Sequence, residues 1–172
     1  MCKNQLISVA IDYAIESWPM PTFNLVTTWK IPSPIETCWF SIIDIEAWPS
    51  WWKYVDEATE LEQGDSNGIN SKYQYKWSTC LPYHLNFKLC VTQLIPYQLI
   101  SFNITGDLEG SGCCKLSQHN QYTHIQFEWN VQTSRPWMTR IAHFAQPIFK
   151  WNHRQVMRSG EQSFIRRLNS SA

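Results

Sequence analysis

The chain has 172 residues, with 14 Lys+Arg against 14 Asp+Glu, and only 16% of its positions are charged. Zero net charge removes the electrostatic footprint of a nucleic-acid-binding arm or an acidic tail. Aromatic residues make up 15% of the chain and Trp fills 10 positions, too much bulky apolar side chain for a disordered segment.

A packed globular domain is the remaining class. At this length one domain is the default, burying roughly 70% of the unfolded chain's surface without help from a metal or a disulfide. Cys2, Cys38, Cys80, Cys90, Cys113 and Cys114 show no CxxC spacing and no paired His cluster, which argues against a zinc site and a disulfide framework. A reduced, cytoplasmic compartment fits that usage. Near the N-terminus, Leu6 to Ile11 is interrupted by Ser8 and followed by Asp12 and Glu16, too short for a signal-peptide core. No stretch approaches the roughly 18 apolar residues of a membrane span. Residues 1–20 read as an N-terminal appendage and 21–172 as a single domain.

Thr22 to Ile31 is β-rich and alternating, and it ends at Pro32-Ser33-Pro34. Ser33 and Glu36 have capping-box spacing with Pro34 at the first helical position, so a short helix is expected to carry Ile35, Trp39, Ile42 and Ile43 inward. Asp44 to Trp48 reads as a turn, and Pro49 opens a second short helix holding Trp51, Trp52 and Val55. Gln63-Gly64-Asp65-Ser66-Asn67-Gly68 is a loop.

From Ser71 the period becomes two. Tyr73, Tyr75 and Trp77 alternate with lysines and a glutamine; Leu85, Phe87, Leu89 and Val91 follow, then Ile100, Phe102 and Ile104, and last Ile125, Phe127, Trp129 and Val131. One apolar and one polar face describe an antiparallel sheet covered on one side. Turns are expected at Cys80-Leu81-Pro82, Pro96-Tyr97-Gln98, Gly106 to Gly112 and His119-Asn120-Gln121, which makes a meander of hairpins.

After Arg135-Pro136 the pattern is helical to about Leu168. At 100° per residue the stripe Met138, Ile141, Ala145 and Ile148 recentres after Pro147 on Phe149, Val156 and Gly160, so two helical pieces or one kinked helix are expected. Asn152 and His153 flank the second stripe. Gly160 removes bulk on the same face, where helix and sheet approach closely. A helix with a matching stripe must lie across the sheet's apolar face, and a strongly bent sheet leaves a cavity beneath it.

The order strand, Pro-x-Pro helix start, Cys38-Trp39, then Trp48-Pro49-Ser50-Trp51-Trp52 resembles the opening of polyketide cyclase/dehydrase-like proteins of the START-related (SRPBCC) helix-grip superfamily. Trp151-Asn152-His153-Arg154-Gln155-Val156-Met157-Arg158-Ser159-Gly160-Glu161, ending in Arg166-Arg167-Leu168, is similar to the terminal helix of that group. The resemblance spans about residues 22 to 168. It implies an α+β helix-grip fold, a six- or seven-stranded curved antiparallel sheet gripping a long C-terminal helix around an apolar ligand cavity. It implies no reaction, because no single catalytic motif unites the superfamily and fold is poor evidence of chemistry.

The expected cavity wall is Trp52, Tyr75, Trp77, Phe87, Leu89, Phe102, Ile104, Phe127 and Trp129 from the sheet side, and Phe149, Asn152, His153 and Val156 from the helix. Each ring would serve an ordinary core as well, but six aimed at one helix exceed what a single-layer core needs. Asn152 and His153 are the candidates for orienting a ligand, and His153 also for moving a proton; their structural alternative is a capping Asn152 at the helix kink and a His153 in solvent. Trp48, Trp51 and Trp52 stand where such proteins have a mouth-closing helix, through which transient membrane contact is an option. Cys113 and Cys114 point to opposite faces of a strand and are structural. Asp107 and Glu109 belong to a solvated hairpin, and His119 with His124 lacks a third metal ligand. No metal or cofactor is expected.

The sequence therefore points to binding or transport of a hydrophobic small molecule, a lipid, isoprenoid or aromatic polyketide-like compound. A cyclase/dehydrase-type enzyme using the same cavity, with His153 or Asn152 polarising a carbonyl, is the alternative, and an interaction module with a filled core is a third. Single-stranded nucleic acid also stacks on aromatic sheets, but a platform of that kind needs a positive groove, so no nucleic-acid partner is expected.

Overall fold

The computed structural model describes residues 22–170, apart from the side chains of 136, 139, 140 and 142–144. The appendage expected at 1–20 lies outside the described residues. In chain order the elements are β1 (Phe23–Ile31), α1 (Ile35–Ile43), a 3-10 turn (Ile45–Ala47), α2 (Trp48–Trp51), β2 (Val55–Glu62), β3 (Lys72–Ser78), β4 (His84–Ile95), β5 (Leu99–Gly106), β6 (Leu108–His119), β7 (Tyr122–Thr133) and α3 (Pro136–Ser170). The seven strands form one antiparallel sheet in the order β1-β7-β6-β5-β4-β3-β2, with α3 against the inner face. This is the α+β helix-grip architecture.

The period-two pattern sets which side of each strand is buried. On β7, Thr123, Ile125, Phe127, Val131 and Thr133 are buried while the alternating side chains face outward, and β1 adds Phe23, Trp29 and Ile31 from the neighbouring position. β2 is the strand that the sequence reading missed. Val55 opens it instead of closing a helix, because Trp52 already adopts an extended backbone, and only Val55 and Ala58 are buried along its acidic length. Similarly, Gly106 to Gly112 is not one long turn. Gly106 makes the reversal at φ 122°, and β6 resumes at Leu108.

The N-terminus of α1 also differs from expectation. Pro34 is itself the cap position, with ψ 150°, and no side chain caps the helix locally. Ser33 is engaged elsewhere, its carbonyl accepting from Thr123 Oγ1 at 2.7 Å. The free helix N–H groups are met from β6 instead, where Gln118 Oε1 accepts from the Ile35 N–H at 2.8 Å. Cys38, Trp39 and Ile42 turn inward, but Ile43 is exposed.

α3 runs as one helix through Pro147. Its second half carries Val156, Met157, Gly160 and Phe164 against the sheet, where Trp29, wholly buried, meets the rings of Trp52, Phe127 and Phe164 at centroid distances of 5.2, 4.7 and 5.8 Å. The helix passes this point only because residue 160 has no side chain. A Cβ there would stand 2.4 Å from Trp52 Cε2 and 2.7 Å from Trp29 Cζ2. Asp107 fixes the entry to α3, accepting from the Asn86 N–H at 2.7 Å and from Arg135 Nη2 at 2.5 Å. Partial burial pushes its carboxyl up, but the Arg135 guanidinium and the Asn86 N–H outweigh this and hold it below the usual range.

Candidate functional site

Two cavities lie on the inner side of the sheet. The outer one, about 100 Å³, is bounded by Phe23 and Leu25 of β1, by Ser78, Thr79, Tyr83 and Leu85 around the β3–β4 connection, by Leu108, Val131 and Thr133, and by Met138, Phe149, Asn152, His153 and Val156 of α3. The inner one, about 50 Å³, sits under α1 and α2 between Ile42, Ile45, Trp48, Trp52, Tyr75, Leu89, Val91, Ile100, Phe102, Cys114 and Phe127. Trp77, Phe87 and Trp129 line both. These three rings are the partition between them, with centroids 5.8 to 6.3 Å apart.

Of the side chains expected to form the wall, the structure brings all but one to these cavities. Trp77, Phe87, Trp129, Phe149, Asn152, His153 and Val156 border the outer space, and Trp52, Tyr75, Leu89, Phe102 and Phe127 the inner. Ile104 reaches neither and packs into the core, 1% exposed. Sequence reasoning missed Phe23, Tyr83, Thr133 and Met138. Phe23 is in phase with Trp29 on β1 and Met138 was on the first helical stripe, so both carried a signal; Tyr83 sits in a connection, where no periodicity exists to find it.

Neither lining contains Asp, Glu, Lys or Arg. The ring of His153 is half-buried and shares a hydrogen bond of 3.2 Å between its Nε2 and Thr27 Oγ1. Burial lowers its pKa to about 4, because a cation there loses solvation that no carboxylate replaces. At neutral pH it is therefore an uncharged imidazole, able to accept a proton and unable to act as an imidazolium acid. Asn152, 6% exposed, is tied down: its Oδ1 accepts from the Cys80 N–H at 2.9 Å. It is a cap, but for the β3–β4 connection and not for the helix at Pro147.

The three tryptophans around α2 face inward. Trp52 donates Nε1–H to the Val156 carbonyl at 3.1 Å, Trp48 donates to the Ile42 carbonyl at 3.2 Å, and Trp51 stacks on Trp52 with centroids 5.6 Å apart. Trp52 is 1% exposed and Trp48 and Trp51 are half-buried, so this cluster packs α2 onto α3. Among the described residues, five other donors have no such partner: Tyr75 Oη and the Nε1 atoms of Trp29, Trp51, Trp77 and Trp129 are buried and without a hydrogen-bond acceptor. Cys114 is buried and Cys113 half-buried on the opposite face, as strand geometry requires. The rings of His119 and His124 meet at 4.8 Å on the sheet's outer side, away from the cavities. Among the described residues, no helix is long and apolar enough to cross a membrane.

No protein-family model and no curated protein matches the chain. Solved structures do match in shape. A START superfamily protein from Mycobacterium smegmatis superposes with a TM-score of 0.69 at 14% identity, over 87% of this chain and 99% of its own. The Zhui aromatase/cyclase from a Streptomyces species gives 0.65 at 9% identity over 84% and 92%, and a protein from Thermus thermophilus gives 0.66 at 13% over 87% and 100%. At these identities the likeness is one of fold, the START-like, polyketide cyclase-like helix grip.

Proposed function

We propose that this chain binds a hydrophobic small molecule between α3 and the sheet, in the manner of a lipid, isoprenoid or aromatic polyketide-like ligand. The observation that carries the reading is the uncharged, aromatic-lined outer cavity, which shares three rings with a second space. Small-molecule sites usually hold roughly 300–1,000 Å³, so a ligand of ordinary size enters by turning the rings of Trp77, Phe87 and Trp129 aside and joining the two spaces. Covering about 200 Å² of apolar ligand surface supplies on the order of 5 kcal/mol to drive that rearrangement. Native mass spectrometry of protein purified without detergent tests the reading. A co-purifying apolar compound is the expected result, and a clean apo mass combined with no uptake of added apolar probes overturns it.

His153 favours a second reading, catalysis in the same space. A neutral imidazole in an apolar cavity can accept a proton or hydrogen bond from a reacting group, as a weak base with its pKa at about 4, and one structure of this shape is named an aromatase/cyclase. Measuring retention and turnover separately for His153→Gln decides between carrier and enzyme.

The outer face of α3 suggests where the ligand comes from. Trp137, Ile141, Ile148 and Trp151 are 42 to 51% exposed and fall within about 80° of arc at 100° per residue. Lys150, Arg154 and Arg158 are exposed alongside, and residues 136–160 contain no Asp or Glu. Apolar side chains with Trp, with Lys150, Arg154 and Arg158 beside them and Glu161 as the acid on that flank, match an anionic lipid surface. Trp137 also packs on Tyr83 at 5.5 Å, at the rim of the outer cavity.

A further inference from the structure

Most buried polar groups in folded proteins have a partner, so a cluster of orphans asks for a reason. Three of the five orphaned donors belong to side chains that line the cavities: Tyr75 Oη, Trp77 Nε1 and Trp129 Nε1. Their rings adjoin, Trp77 lying 6.3 Å from Tyr75 and 6.1 Å from Trp129. Trp77 and Trp129 are also two of the three rings that any ligand joining the cavities must displace. All three donors are sealed from solvent, so no bulk water satisfies them. By contrast, the neighbouring indole of Trp52 has found the Val156 carbonyl, which shows that this region does supply backbone acceptors where the packing allows.

Resting on the ligand-binding reading above, we propose that Tyr75, Trp77 and Trp129 form a neutral donor subsite that takes the acceptor oxygen of an uncharged, otherwise apolar ligand. The ligand class is a carbonyl compound on a hydrocarbon or aromatic frame. A pure hydrocarbon leaves the three donors unpaired, whereas one carbonyl oxygen with two lone pairs satisfies two of them. A carboxylate or phosphate is disfavoured for a different reason. Neither lining holds a cation to replace the lost hydration of an anion, and desolvating an unpaired charge is far more costly than desolvating a carbonyl. Burial raises the Tyr75 phenol well above its ordinary pKa, so it remains a donor throughout the accessible pH range.

The test compares three probes of nearly equal bulk on the full chain by titration calorimetry: indane, 1-indanone and indane-1-carboxylate. Because the ring frame is shared, the work of opening the partition cancels in the affinity ratios. The expected result is 1-indanone binding at least tenfold more tightly than indane, with the carboxylate weakest. Tyr75→Phe, Trp77→Phe and Trp129→Phe are each expected to reduce the ketone-to-hydrocarbon ratio by roughly three- to tenfold. Tyr75→Phe removes a single oxygen, and the wild-type probe ratio needs no variant at all, so misfolding of a Trp variant does not decide the matter. Equal binding of indane and 1-indanone, or Phe variants that leave the ratio unchanged, overturns the donor subsite while the ligand-binding reading stands. Failure of every probe to bind overturns both.

Discussion

Replacing Gly160 by alanine adds one methyl group at a close helix–sheet crossing. In an open helix this change stabilises by about 1 kcal/mol, because Ala is the better helix former. Here the new Cβ meets Trp52 Cε2 at 2.4 Å, Trp52 Cζ2 at 2.6 Å and Trp29 Cζ2 at 2.7 Å, against an ordinary carbon–carbon contact of about 3.5–4.0 Å. One side must retreat by roughly 1 Å. Trp29 and Trp52 are 0 and 1% exposed, and Trp52 is fixed further by its bond to the Val156 carbonyl and its stack on Trp51. Overpacking of a well-filled core costs typically about 1–3 kcal/mol, occasionally more, and two immobile indoles put this site at or above the upper end. After the helix-propensity gain, a net loss of about 2–3 kcal/mol is expected, a fall in Tm of roughly 4–12 °C for a chain of this size. Thermal and urea unfolding followed by tryptophan fluorescence and circular dichroism measure it. A coupled variant sharpens the cause: Trp52→Leu in the same chain should relieve part of the Gly160→Ala penalty, giving a non-additive double-mutant cycle. A Gly160→Ala protein with unchanged or raised Tm refutes the crossing geometry.

Further outcomes follow from the groups around the cavities. His153 titrates at about 4 when folded, against an ordinary value of 6.5, so the unfolded chain binds the proton more readily between these values; the stability that the neutral ring contributes is complete above about pH 6.5 and is lost toward pH 4, by about 3 kcal/mol. His153→Gln should flatten that part of the stability–pH profile, and an identical slope in the variant counts against the buried neutral imidazole. Asn152→Ala leaves the Cys80 N–H without its acceptor, an expected loss of about 1–2 kcal/mol together with faster amide exchange across residues 78–84; unchanged exchange would mean that Asn152 does not hold this connection. Serine in place of Trp137 and Trp151 together should reduce cosedimentation with phosphatidylserine-containing vesicles several-fold, and salt should weaken the wild-type binding. Vesicle binding that is absent, or indifferent to both changes, removes the outer face of α3 as a membrane contact.

The sheet was legible in the sequence wherever one face is buried and the other wet, as along β4, β5 and β7, since a period of two then follows directly from burial. β2 failed the same test for a physical reason. It is an edge strand with four carboxylates among eight residues, only Val55 and Ala58 turn inward, and two register shifts break its phase. Capping was legible in composition but not in partner: Ser33 and Glu36 had the spacing, yet the acceptor for Ile35 came from Gln118, 83 residues away. Asn152 shows the same limit. Its place near the inner face followed from the helix stripe, but its engagement with Cys80 depends on how a connection 72 residues earlier folds back. The indoles of Trp48, Trp51 and Trp52 were indistinguishable in sequence from exposed ones, because a short helix gives no periodicity long enough to assign a face.

The position of β1 has a kinetic consequence. Every strand from β2 to β7 pairs with its neighbour in the chain, but β1 pairs only with β7, matching Phe23 to Val131 and Ile31 to Thr123. Most of the chain must therefore emerge from the ribosome before β1 gains a partner, while its apolar Phe23, Trp29 and Ile31 wait uncovered. The hairpins of the meander can close locally and early, whereas the β1–β7 pairing pays a long loop-closure entropy and closes late. Until it does, the nascent chain shows the last hairpin's open edge to its surroundings, the geometry from which edge-to-edge association starts.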